Sequence, residues 1–272
     1  MRKKLVSLLL TSLMLINYVH AKNVIYIGVE DDCPYSCRAE NENGLKGFVQ
    51  DILISIFENN DVEVRFRVFP WARALSTFND ISDSDLIAVV GMKIHAYHKE
   101  LAFFPNTEIA QYTHAFYALN SFALGGNWKY NGVETLKGIR VGAVLGWAYC
   151  DTALTKYIQK NNNRWVSAIS GGSVSQRNYQ RLLLGRTDIW VANQYNANYL
   201  LLKKNRNADS NAARIVRVAK VPVTSIVDVY PVFYNNEKGK EYAQEFDDGM
   251  ANLRESGLLD AILKTYNLKD WR

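Results

Sequence analysis

Apolar positions along the chain recur with two different spacings, and the two alternate. Val24 to Val29 is a short, nearly continuous apolar run of strand type, and Phe48 to about Asn59 carries Ile52, Leu53, Ile56 and Phe57 at helical spacing. Val62 to Phe69 alternates as a second strand. After Pro70 a helix carries Trp71, Ala74, Leu75 and Phe78 inward, and Leu86 to Gly91 forms a third, buried strand. A second unit follows the aromatic-rich stretch Tyr112 to Phe122. Its expected elements are a strand at Ile139 to Val144, a helix opened by Gly146 at Trp147, a strand at Trp165 to Ile169, a helix capped by Ser173, and a strand at Asp188 to Ala192. The tail from Lys238 to Tyr266 is helical, with Tyr242, Phe246, Met250, Leu253, Leu258, Ile262 and Leu263 as its stripe and Gly257 as a break. Alternation of this kind predicts an α/β protein with mostly parallel strands, built as two similar units with a cleft between them.

Composition supports a folded chain. Of 272 residues, 48% are hydrophobic and 22% charged, which excludes disorder as the main theme. The net charge of +5 overstates how basic the folded part is, because Arg2, Lys3 and Lys4 open a segment with its own logic. Residues Met1 to Ala21 combine that positive start with an apolar run of about 12 residues and a small-residue end at Val19-His20-Ala21. This pattern predicts an export signal peptide, too short to span a bilayer and not followed by a lipid-accepting Cys. The mature chain would begin near Lys22 and be close to neutral, with a periplasmic location. The one short basic cluster, Lys203-Lys204 with Arg206, suits a solvated helix end, so nucleic acid is not an expected partner.

Export makes the cysteines legible. Cys33 and Cys37 flank Pro34 and Tyr35, and a turn at the proline brings them within disulfide range. Cys150 is left over, as a small apolar side chain or a reactive thiol, with no His or Lys beside it in sequence. His95 and His98 share a helical face, but no further ligand completes a metal site, and no cofactor is implied.

Several stretches, taken in order and spacing, carry a resemblance. They are Pro34-Tyr35, Gly47, Pro70-Trp71-Ala72-Arg73-Ala74-Leu75, Leu136-Lys137-Gly138-Ile139-Arg140-Val141-Gly142 before Gly146, Leu182-Leu183-Leu184-Gly185-Arg186-Thr187-Asp188, and Leu253-Arg254-Glu255-Ser256-Gly257-Leu258. The chain resembles the extracellular solute-binding proteins of family 3, periplasmic proteins of polar amino-acid uptake. That resemblance implies a two-lobed periplasmic-binding-protein type II fold, with two parallel-type sheets joined by two crossover strands. It implies a lobe of residues 22–116 plus 229–272, a lobe of residues 117–228, and closure about a hinge.

Two departures bear on the ligand. Amino-acid-binding members carry an Arg after the third strand, where this chain has Ile94-His95-Ala96-Tyr97-His98-Lys99, and an Asp at the end of the strand that starts here at Asp188, where it has Asn193. Asn193 offers a hydrogen bond without an opposite charge for a ligand ammonium. The remaining candidates each have a packing alternative. Arg73 suits an anionic or carbonyl group, or else a surface ion pair. Trp147 and Tyr149 stand at the expected helix start, where backbone N–H groups attract anions, or else lie in the core. Tyr35 and Trp71 form an aromatic wall for an apolar or cationic group, or else pack.

The function expected from this reading is capture of a small polar solute, amino-acid-like or an organic anion, by a non-catalytic monomer. Its membrane partner is an ABC-transporter permease or a sensor kinase. The alternative is a lyase of the cyclohexadienyl-dehydratase type, for which Glu30, Asp31 and Asp32 are the nearest carboxylates, although a polar loop accounts for them equally well.

Overall fold

The computed structural model describes residues 23–58, 62–71, 73, 74, 76, 86–92, 102–124, 128–162, 164–206, 215–220 and 226–272. The expected signal segment and the pair His95 and His98 lie outside these residues, as do Leu75 and Phe78. Among the described residues no helix is long and apolar enough to cross a membrane.

Two mixed sheets organise the chain. In the first, β1 (Asn23–Val29) is central to a parallel core with β2 (Val62–Val68) and β3 (Leu86–Met92). β11 (Val227–Tyr234) then runs antiparallel to β3, and β4 (Ala102–Phe103) and β5 (Ala110–Tyr112) pair with β11. The second sheet has a matching parallel core, with β7 (Val141–Val144) between β8 (Val166–Ile169) and β9 (Ile189–Asn193). β6 (His114–Leu119) extends it antiparallel to β9, and β10 (Ile215–Lys220) pairs antiparallel with β6. The chain passes from the first sheet to the second across Thr113, and returns between β10 and β11.

Helices cover the faces the strands leave apolar. α1 (Phe48–Phe57) buries Phe48, Val49, Ile52, Leu53, Ile56 and Phe57. It packs against α6 (Glu237–Glu255) and α7 (Leu258–Thr265) in one core with Ile27, Phe233, Phe246 and Met250. Contact between α1 and α6 is close because position 249 is Gly: a Cβ there would lie 2.5 Å from Ile56 Cγ2. Leu258, expected in the stripe, is 42% exposed, and Leu259 takes the buried place instead. In the second unit α2 is Asn120–Leu124, α3 is Thr152–Asn161, α4 is Val174–Leu183 and α5 is Gln194–Arg206.

Two helix starts differ from the sequence expectation. Gly146 has φ 81° and is followed by irregular chain that bends at Cys150, so no helix opens at Trp147. α3 begins five residues later, where the Asp151 carboxylate accepts N–H bonds from Ala153 and Leu154 at 2.7 and 3.3 Å. Ser173 precedes α4 in left-handed geometry, φ 52°, and its side chain makes no capping bond. Its hydroxyl points instead toward Asp31.

Candidate functional site

The loop after β1 is fixed from below. The Cys33–Cys37 disulfide spans a Cα–Cα distance of 4.9 Å. The Pro34 and Tyr35 carbonyls accept the first N–H groups of α1, from Phe48 at 2.9 Å and Val49 at 3.0 Å. A side chain at position 47 would collide with this loop, since a Cβ there would lie 2.5 Å from the Tyr35 carbonyl oxygen, and φ 100° favours Gly as well. Gly47 N–H donates in turn to the Tyr266 hydroxyl at 2.9 Å. The residues Glu30 to Tyr35 are thereby presented on a rigid base.

Facing them are parts of the second unit, and the two meet directly. The Trp71 indole N–H donates to the Gly146 carbonyl at 3.2 Å, and the Trp147 indole N–H donates to Glu30 Oε2 at 3.2 Å. Ser175, in the first turn of α4, donates to Asp32 Oδ1 at 2.7 Å, and Ser173 donates to Asp31 Oδ2 at 3.4 Å. From α5, Asn196 donates its amide to the Asp32 and Cys33 carbonyls at 3.1 and 3.0 Å. Further along α5, Tyr199 and Lys203 hold Glu42 at 3.0 and 2.6 Å.

The electrostatics of this junction are one-sided. Asp31 is paired with Arg38 at 3.2 Å. Glu30 and Asp32 form no ion pair with any described Lys or Arg; the groups that reach them are indole, hydroxyl and amide. Burial raises Glu30 to about 7 against the Trp147 bond that opposes it. Burial, and then the neighbouring Glu30 charge, push Asp32 well above the usual carboxylate range despite Ser175. Asn196 adds an unmet requirement of its own: it is 2% exposed, and its Oδ1 has no partner.

Aromatic rings line the same region. Tyr35 packs on Phe48 and Tyr195 with ring centroids 4.8 and 6.1 Å apart, and its hydroxyl donates to the Gln111 carbonyl at 2.8 Å. Tyr112 donates to the Ala148 carbonyl at 3.0 Å. His114 is buried among Tyr112, Trp147 and Tyr149, and burial lowers it to about 3, so it is a neutral ring. Its Nδ1 accepts the Cys150 N–H at 3.2 Å and lies 3.0 Å from the Cys150 sulfur. Cys150 therefore does have a histidine neighbour, which the sequence could not show because the two are 36 positions apart.

The six candidate positions do not all converge. Trp71, Trp147 and Tyr35 come together at the junction. Asn193 ends β9 opposite His114, accepts the Tyr195 N–H at 2.9 Å and bonds the Tyr35 hydroxyl. Tyr149 is buried, and its hydroxyl is engaged with Val144, accepting its N–H at 2.8 Å and donating to its carbonyl at 3.2 Å. Arg73 lies exposed at the start of the turn after Pro70, and nothing in the structure draws it to the other five. Ser175 and Asn196 are contributors that sequence reasoning missed; both belong to helix starts whose partners lie 143 and 164 positions away.

No protein-family model and no curated protein matches the chain. Solved structures do. An ancestral arginine-binding protein bound to arginine superimposes with a TM-score of 0.66 at 21% identity, covering 91% of this chain and 99% of that one. A histidine kinase sensor domain with similarity to periplasmic binding proteins gives a TM-score of 0.69 at 18% identity, over 92% and 99%. A putative L-cystine ABC transporter protein from Listeria monocytogenes gives 0.68 at 16% identity, over 91% and 98%. With its two sheets and paired passages between them, the chain has the two-lobed fold of the periplasmic binding proteins.

Proposed function

We propose that the chain is an exported solute-binding protein that closes its two lobes on a small polar solute carrying a positive charge, for an ABC permease or a sensor kinase in the membrane. The observation that carries this reading is the pair Glu30 and Asp32, desolvated at the lobe junction beside Trp71, Trp147 and Tyr35, with no cation among the described residues to neutralise them. A partly desolvated carboxylate without a counter-charge is costly, and a bound ammonium or guanidinium supplies one while the indole and phenol faces add cation–π attraction. An anionic solute fits less well. The start of α4, where an anion would be received, already faces Asp32 through Ser175, and Arg73 stands apart. Closure itself follows from differential affinity, because a ligand touching both lobes favours the state that brings them together.

A thermal-shift screen tests this with arginine, lysine, putrescine and choline against glutamate, citrate and succinate. Saturation at a hundredfold excess over Kd adds ~2.7 kcal/mol, or roughly 5–10 °C for a chain of this size. A shift with the anions alone would overturn the assignment of charge.

One observation favours a second reading. Glu30, raised to about 7, has the proton affinity of a general acid or base, as a lyase of the cyclohexadienyl-dehydratase type would need. Turnover of prephenate or arogenate would establish catalysis, and loss of that turnover in Glu30→Gln would assign it.

A further inference from the structure

Among the described residues, Glu30 and Asp32 are met by several elements, the Trp71 backbone after β2 among them. Their own loop contributes Asp31, already paired with Arg38, and Tyr35. The chain after β7 contributes the Trp147 indole, the Tyr149 phenol and Cys150, which faces His114. α4 contributes the Ser175 hydroxyl, and α5 the Asn196 amide and Tyr195. The crossover contributes Tyr112 and a neutral His114. Among the described residues of this shell the phenols are pushed upward by burial and stay uncharged, so the two carboxyls face dipoles, each other and the Asp31 charge. Two neighbouring negative charges at such a junction oppose one another, and holding a proton relieves them. Asn196 Oδ1, buried and without a donor, marks the same spot as one that still accepts an N–H.

We propose that solute capture at this site is an exchange of protons for a cation: the ammonium or guanidinium of the solute takes the charge-balancing place of protons that Glu30 and Asp32 carry in the closed protein. The inference rests on the cationic-solute reading above and adds a regulatory consequence to it. In the exchange the carboxyl O–H bond breaks, the proton passes to solvent, and the carboxylate left behind pairs with the incoming cation, so the charge of the site is unchanged. Affinity then rises with pH while the carboxyls still hold protons, and levels off once they have ionised. An acidified compartment releases the solute.

Isothermal titration with arginine and with putrescine, in buffers of equal pH and unequal ionisation enthalpy, measures the protons released. The expected result is a release of about one to two protons at pH 6 that falls as pH rises through the Glu30 value of about 7, and an affinity that gains up to tenfold per pH unit for each proton released. Glu30→Gln should release about one proton fewer. A probe that binds with buffer-independent heat and a flat pH profile overturns the exchange while leaving the cationic reading intact; failure of both probes at every pH overturns both. Infrared spectra of the protein without solute supply a test that needs no ligand. A protonated-carboxyl carbonyl band at pH 6, diminished in Glu30→Gln and in Asp32→Asn, is expected, and its absence from the parent protein overturns the proposal.

Discussion

Replacing Glu30 by Gln tests how strongly burial opposes its charge. Gln keeps the acceptor for the Trp147 indole N–H and nearly the same volume, and removes only the ability to ionise. Folding moves the Glu30 value from 4.5 to about 7. At ~1.4 kcal/mol per unit, that is about 3 kcal/mol of pH-dependent stability. The sign follows from proton binding. The folded state holds the Glu30 proton more tightly than the unfolded chain does, so this contribution is complete below about pH 4.5 and is lost as pH rises through 7. The parent protein therefore gives up about 3 kcal/mol between pH 4.5 and pH 8 on this account, and Glu30→Gln does not. Opening of the cleft at high pH rehydrates the carboxylate, which makes 3 kcal/mol a ceiling. His114, with its value lowered to about 3, contributes a slope of the opposite sign below pH 6.5, but it is present in both proteins and cancels in the difference. Urea unfolding of the two proteins without solute at pH 5, 6, 7 and 8 measures that difference. A gap that opens in favour of Glu30→Gln above pH 6 is expected, and a gap constant with pH would refute the reasoning.

Three further outcomes follow from the geometry. The double variant Cys33→Ser with Cys37→Ser should lose ~2 kcal/mol by the loop-entropy relation for so short a ring, seen as a lower Tm that reductant no longer changes. Trp147→Phe leaves a partly buried Glu30 oxygen without its indole donor, at about 1 kcal/mol, and should weaken cation binding several-fold in titration calorimetry while the far-ultraviolet spectrum is unchanged. Glu108→Gln should flatten the acid limb of the stability profile. Burial alone would raise Glu108, but bonds from Arg272 and Trp271 hold it below its ordinary value, so its contribution is present above pH 4.5 and lost as pH falls.

Much of the scaffold was legible because its helices bury one face, its first strand is a short apolar run and its second alternates. The terminal helices, α1, β1 and β2 announce themselves by spacing alone. β6 does not: all but the last residue of His114–Leu119 is buried, so it carries neither alternation nor a polar face to mark its period. α5 was also missed, since Gln194, Asn196 and Asn198 dilute its apolar face. The misplaced helix start at Trp147 had a local remedy, because Asp151-Thr152 is the better cap signal. At the site the aromatic candidates could be named, whereas the charge balance could not. Whether Glu30 and Asp32 meet a cation or a dipole depends on Trp147, Ser175 and Asn196, which only the folded chain brings within reach.

The path of the chain has one more consequence. Every strand of the second sheet lies between residues 114 and 220, a single uninterrupted stretch inserted into the first. That half of the proposed binding surface can therefore be transplanted as a cassette, cut at Thr113 and ahead of Val227, into another protein of this architecture. The Glu30 and Asp32 half would remain behind, so the chimera would show which lobe dictates solute choice.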